Sequence, residues 1–181
     1  LNWGCIPTKA LLEHAHALKI AQGAKEWGLV LGSDPPRIDM NQVQTRKDKI
    51  VTILTRGIEY LFKKNGIDWI KGSGRLAGPG KVEVTGGETQ LLTARQIVVA
   101  TGSSALSVPG IDLDRKRIIT SDEAIFMREV PKSIVVMGSG PIGVEFATVF
   151  KRFGKKFVQY FQCTSAMLDR FVEPVNLAEY V

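Results

Sequence analysis

Cysteine is scarce: the 181 residues contain two, Cys5 and Cys163. A small secreted module stapled by disulfides is therefore excluded, and a reducing compartment, the cytoplasm, is expected. No apolar run approaches the roughly 18 to 20 residues that cross a bilayer, so no membrane span is expected. Internal repeats and low-complexity tracts are absent, which excludes collagen-like and disordered chains. Histidine is also rare, with His14 and His16 the only two. Together with Cys5 and Cys163 they lack the close spacing of a metal-ligand set, so no metal is expected. Neither an initiator methionine nor a charged-then-apolar leader is found at Leu1, and the chain reads as an internal fragment.

With 44% hydrophobic and 23% charged residues, the composition suits a soluble globular protein of one or two domains with a substantial core. The net charge of +6 comes from 24 Lys and Arg against 18 Asp and Glu, in clusters such as Arg115-Lys116-Arg117 and Lys155-Lys156. Short clusters of this kind read as solvated faces and not as a nucleic-acid surface.

The stretch from Gly4 to about residue 27 predicts a helix, with Pro7 in the first turn and an Ala/Leu-rich body. Gly32 to Pro36 is a loop by composition. From Asp39, a candidate N-cap, Met40, Val43, Ile50, Leu54, Ile58, Leu61 and Phe62 recur at helical spacing until Gly66 stops the run. Short strands are expected at Ile67–Ile70 and Lys81–Thr85, the latter between Gly78-Pro79-Gly80 and Gly86-Gly87. Ile97–Ala100 and Ser133–Met137 read as buried strands. Thr120 to Glu123 should cap a short helix. A further helix should run from the glycines after Met137 to Phe153, with a returning strand at 157–161. The pattern is α/β, with a domain change near residues 105 to 118.

Gly138-Ser139-Gly140-Pro141-Ile142-Gly143 is a G-x-G-x-x-G sequence between a Val/Ile strand and an Ala/Val/Phe helix, the context that a dinucleotide-binding turn requires. Gly138 would make the tight turn, Gly140 would let the backbone approach a pyrophosphate, and Gly143 would let helix pack on strand. The helix N-terminus would face the negative charge. The returning strand should end in an acid for the ribose hydroxyls, about 20 residues after the motif begins. The sequence from Phe157 to Cys163 has none. Cys5 sits at a helix N-terminus with Lys9 one turn on, features that suit a reactive thiol. A lone cysteine is ordinarily a small buried apolar residue, and its neighbours decide the matter.

Those neighbours, Leu1-Asn2-Trp3-Gly4-Cys5-Ile6-Pro7-Thr8-Lys9-Ala10-Leu11-Leu12, resemble the redox-active helix of the flavin-dependent disulfide oxidoreductases, most closely their dihydrolipoamide dehydrogenase branch. The family motif is C-L-N-x-G-C-[IV]-P-[ST]-K-A-L-L, which puts a partner cysteine immediately before Leu1. Gly72-Ser73-Gly74-Arg75-Leu76 is similar to the family's flavin-contacting glycine turn. Ala100-Thr101-Gly102-Ser103 is similar to its A-T-G-[ST] flavin motif, and Gly138 to Glu145 to its nicotinamide-dinucleotide motif. The resemblance covers residues 1 to about 154.

The resemblance implies Rossmann-like FAD- and NAD(P)-binding domains, both incomplete: a partial FAD domain at 1–108 and a partial NAD(P) domain at 109–181. Cys5 would be the disulfide cysteine nearer the flavin, able to form a charge-transfer pair with it. Lys9 would lie by the flavin N5 edge, paired with Glu145, where a cation favours the reduced flavin. Gly74, Ala100, Thr101, Gly102 and Ser103 would line FAD, while Gly138, Ser139, Gly140, Pro141, Ile142 and Gly143 would hold NAD. The substrate would be a dihydrolipoyl group on the carrier domain of a 2-oxo acid dehydrogenase complex, and the parent a homodimer. The family's upstream FAD motif and its C-terminal interface domain, with a catalytic His-Glu pair, lie outside the chain; His14 and His16 are helix residues and not that base. Aligning the family's ribose-binding acid puts it at Phe161 when counted from Gly154, or at Ala166 when matched through Met167-Leu168-Asp169-Arg170. Mercuric reductase and soluble transhydrogenase relatives are alternatives within the family. A non-catalytic remnant or dinucleotide-binding fragment of the same fold is the alternative outside catalysis.

Overall fold

The computed structural model describes residues 1–105, 110–154 and, as backbone, 156–160. The chain divides into one unit of residues 1–55 and 107–181 and a second of 56–106. No helix among the described residues is long and apolar enough to cross a membrane.

In the first unit, α1 (Cys5–Gln22) is followed by a 3-10 turn (Ala24–Trp27) that ends at Gly28, where φ is +70°. Helix α2 (Met40–Lys64) starts where expected, with residues 40–55 in this unit and 56–64 in the second. Asp39 Oδ1 accepts from the N–H groups of Asn41 and Gln42 at 2.9 and 3.3 Å, satisfying two donors that the first turn leaves unpaired. Helix α3 (Ser121–Ala124) carries a complete capping box, with the Thr120 side chain accepting from Asp122 N and Glu123 reaching back to Thr120 N.

Strand β4 (Ser133–Met137) leads through the glycine turn into α4 (Pro141–Arg152), and the chain returns as β5 (Lys156–Tyr160). The two strands pair in parallel, Ser133 opposite Lys156 and Met137 opposite Tyr160. A parallel pair joined through a helix is the β-α-β unit that the G-x-G-x-x-G context requires. Leu11, Ala15 and Leu18 of α1 share a core with Val43, Ala124, Ile125 and with Phe146, Val149, Phe150 and Phe153.

In the second unit, strands β1 (Ser73–Leu76), β2 (Lys81–Thr85) and β3 (Gln90–Thr93) form an antiparallel sheet in that order. Three expectations need correction here. Ile67–Ile70 is not a strand. The Ile67 N–H closes the end of α2 on the Phe62 carbonyl at 2.9 Å, and the Trp69 ring packs edge-on to Phe62 at 5.9 Å. Termination of the helix thus consumes the segment. Gly72-Ser73-Gly74 is not a turn but the entry to β1, in which Gly74 stands opposite Val84. A Cβ on Gly72 would come within 2.5 Å of the Thr85 carbonyl oxygen, so close strand approach explains that glycine. Finally, Ile97–Ala100 forms no strand and is not buried, with Val98 at 88% exposure. It has no ladder partner among the described residues, and an apolar run without one cannot become a sheet strand.

The buried face of α2 differs from its expected apolar stripe. Val43 is buried, but its buried companions are Gln44 and Lys47, while Leu54 and Leu61 are exposed. Lys47, at 1% exposure, donates to the Ile125 carbonyl at 3.0 Å and forms an ion pair with Asp48 Oδ1 at 3.1 Å. Gln44 Nε2 donates to the carbonyls of Ile125 and Met127 at 3.2 and 2.8 Å. Burial of the ammonium is tolerated because a carbonyl and a carboxylate stand against its charge.

The capping box makes stability depend on pH. Hydrogen bonds from the Thr120 N–H and hydroxyl, both at 2.8 Å, hold the Glu123 carboxyl below the ordinary glutamate value of 4.5. Its contribution is therefore complete above 4.5 and is lost as the pH falls through the lower folded-state value. The thermal midpoint of the wild type should exceed that of Glu123→Gln at about pH 7, and the gap should shrink as the pH falls below 4.5, closing once the folded-state carboxyl is protonated. A gap unchanged by acid would show that the carboxylate does not stabilise the cap.

Candidate functional site

The site is built on two helix starts. Helix α1 opens at Cys5 with Gly4 as N-cap, and the Thr8 N–H returns to the Gly4 carbonyl at 3.0 Å. No side chain caps this end and no acid lies in its first turn. The Cys5 thiol is exposed and, among the described residues, takes part in no disulfide. Lys9 follows at i+4, on the same helical face.

Helix α4 opens at Gly140 in extended backbone, with Pro141 at the first helical position and again no side-chain cap. The three glycines have distinct physical roles. Gly138 takes φ +122°, a conformation that side chains resist. A Cβ on Gly140 would meet nothing within 4 Å, so its backbone lies open to a ligand. A Cβ on Gly143 would overlap the Gly138 carbonyl oxygen. Tight turn, open approach and close packing are therefore assigned as a dinucleotide pyrophosphate would need, with an uncapped helix start behind them. Ser139 and Ile142 are exposed on the same turn.

Packing of α1 against α4 brings the two motifs together. The Lys9 ammonium donates to Glu145 Oε1, two residues beyond Gly143, so the pair expected from the resemblance is formed. The Lys9 side chain stays 62% exposed and that of Glu145 is 24% exposed. An ion pair that open to water adds little to stability, and its value is in orienting the lysine. His14 Nδ1 lies 2.7 Å from the Ala10 carbonyl within α1.

Gly74 and Ala100–Ser103 belong to the second unit. Gly74 lies in β1, and Ala100, Thr101, Gly102 and Ser103 are exposed residues outside any helix or strand. Gly102 has φ +84° and open space where a Cβ would stand, which suits close approach of a ligand to backbone. Phe161 and Ala166, the two positions that align with the family's ribose-binding acid, lie outside the described residues. Strand β5 itself carries no acid.

Gln44 and Lys47 escaped the sequence reading because Arg46-Lys47-Asp48-Lys49 looks like a solvated run. The signal was periodic: 40, 43, 44 and 47 share one helical face, and Val43 is a core position.

The profile of the pyridine nucleotide-disulphide oxidoreductase family matches residues 1–179, and the chain belongs to that family. Among curated relatives, dihydrolipoyl dehydrogenase 3 of Pseudomonas putida is 46% identical over 158 residues, covering 86% of this chain and 34% of the relative. Dihydrolipoamide dehydrogenase of Chaetomium thermophilum is 41% identical over 160 residues, covering 86% and 31%. The chain thus spans about a third of their length. The crystal structure of LpdA from Mycobacterium tuberculosis matches with a TM-score of 0.75 at 23% identity, over 87% of this chain and 35% of that one. The flavoprotein disulfide reductase RclA from Escherichia coli matches at 0.67 and 24%, over 87% and 32%. Both likenesses establish the fold.

Proposed function

We propose that the chain is the central part of a dihydrolipoamide dehydrogenase, which oxidises a dihydrolipoyl group on the carrier domain of a 2-oxo acid dehydrogenase complex and reduces NAD. The observation that carries this reading is the Lys9–Glu145 pair, which ties the helix of the reactive thiol to the dinucleotide helix. Identity of 46% with a relative named dihydrolipoyl dehydrogenase 3 supports the lipoamide branch.

In this reading Cys5 forms a disulfide with a cysteine immediately before Leu1. A substrate thiolate attacks that disulfide, the enzyme S–S bond breaks, and the substrate's second thiol closes its own S–S bond. Two electrons enter the enzyme's sulfur pair, and the substrate's protons pass to a base outside the chain. Bound FAD would take these electrons onward, with NAD as the final hydride acceptor. Gly74, Ala100, Thr101, Gly102 and Ser103 would hold FAD. Gly138 to Gly143 would hold the NAD pyrophosphate against the start of α4. Lys9 keeps a positive charge beside the reacting sulfur and flavin edge, and Glu145 keeps it in place. The division into an FAD part at 1–108 and an NAD(P) part at 109–181 belongs to this proposal. A cytoplasmic homodimer without nucleic-acid partners completes it.

The test is to express the whole reading frame from which the segment derives. A flavin-coloured protein that forms NADH from dihydrolipoamide is expected, with a cysteine codon before Leu1. A different residue there, or no dithiol-dependent NADH formation by the flavin-loaded protein, would overturn the reading.

A further inference from the structure

Phe126 follows α3 in a turn, its N–H returning to the Glu123 carbonyl at 3.0 Å. Gln44 and Lys47 of α2 grip the carbonyls on either side of it, those of Ile125 and Met127. The same Lys47 ammonium stands 4.3 Å over the Phe126 ring. Despite this anchoring, Phe126 is 47% exposed, and the Trp3 ring meets it edge-to-face with centroids 5.5 Å apart. Trp3 is two residues ahead of Cys5, in the turn that delivers the chain to the start of α1.

We propose that Phe126, held by Gln44 and Lys47, is a positioning residue for Cys5: it docks Trp3 and thereby fixes the arm that presents the thiol. A glycine N-cap without a side-chain bond leaves the start of α1 weakly defined by local interactions. The ring contact supplies the missing constraint from a different part of the chain. The buried cation has a matching role, because its field polarises the ring face while its hydrogen bond to the Ile125 carbonyl holds the backbone beneath. The meaning of the arm rests on the reading of Cys5 as the redox thiol; the contact does not.

The experiment uses the 181-residue chain and two readouts that need neither flavin nor substrate. Alkylation of Cys5 by iodoacetamide is followed by peptide mass spectrometry, relative to glutathione in the same tube. Exposure of Trp3 is followed by acrylamide quenching, with Trp27 and Trp69 replaced by phenylalanine. Phe126→Leu should raise both by about threefold, the scale of one lost ring pair. Phe126→Tyr, which keeps the ring, should return both to the wild-type level. A freed Trp3 with an unchanged Cys5 rate would overturn the proposal, as would no change in either. A rise that tyrosine does not reverse would mean general loosening and would also overturn it. Failure of dithiol turnover in the whole protein would sink the functional reading and leave this one intact.

Discussion

Gly143→Ala is expected to destabilise the first unit by roughly 2 to 3 kcal/mol, although alanine is normally the better helix residue by about 1 kcal/mol. Gly143 lies in α4, so propensity alone predicts a gain. The added methyl, however, would overlap the Gly138 carbonyl oxygen and lie 3.0 Å from the carbonyl carbon. Both atoms are backbone in a turn already at φ +122°, so neither has a rotamer to yield. The helix start would have to separate from β4, and the β-α-β unit would lose its close turn. Gly140→Ala makes the contrast. Its Cβ meets nothing within 4 Å and its φ of −68° suits any residue. It should cost at most about 1 kcal/mol in stability, the scale of an N-cap change. In the whole protein it should nevertheless weaken NAD binding if, as proposed, this open backbone is the approach of the pyrophosphate. Urea unfolding of the chain separates the two effects. Equal stability losses at the two positions would refute the assignment of close packing to one glycine and ligand access to the other.

These contrasting glycines also show how far the sequence could be read. The motif, its strand and its helix were legible because each needs only local pattern: β4 at Ser133–Met137, the capping box at Thr120, the stop at Gly66. The burial expected of β4 is not found, since its middle residues are half-buried and Met137 is exposed. What failed depended on partners distant in sequence. Ile97–Ala100 has strand composition, but composition cannot supply a neighbouring strand. Gln90–Thr93 became β3 without a strong pattern because β2 offered it an edge, with Leu92 opposite Val82. The same limit applies to the site. Cys5 and the glycine turn could be found by motif, and the Lys9–Glu145 pair by resemblance alone, since 136 residues separate its members. Lys47 and Phe126 belong to no motif, and their meeting is visible only once α2 and α3 are packed.

Cys5→Ser in the whole protein is expected to lower dithiol-dependent NADH formation by at least about 10³-fold, as loss of a covalent nucleophile does in other enzymes. A serine hydroxyl cannot form the S–S bond through which the two electrons enter. The fold should be indifferent to the change. Cys5 is exposed at the first position of α1, and surface substitutions of this kind stay within about 0.5 kcal/mol. Lys9→Met separates entry of electrons from their onward passage. It removes a charge one helical turn beyond Cys5 but no sulfur, and its exposed ion pair contributes little to the fold. In the proposed reading, dihydrolipoamide should still reduce the disulfide between Cys5 and the preceding cysteine in this variant, seen as two new titratable thiols. NADH formation should fall by about 10²-fold, the scale of one removed electrostatic group. Loss of both readouts in Lys9→Met would place the lysine in the thiol exchange itself. Retention of both would leave the pair with Glu145 as a clasp between two helices and nothing more.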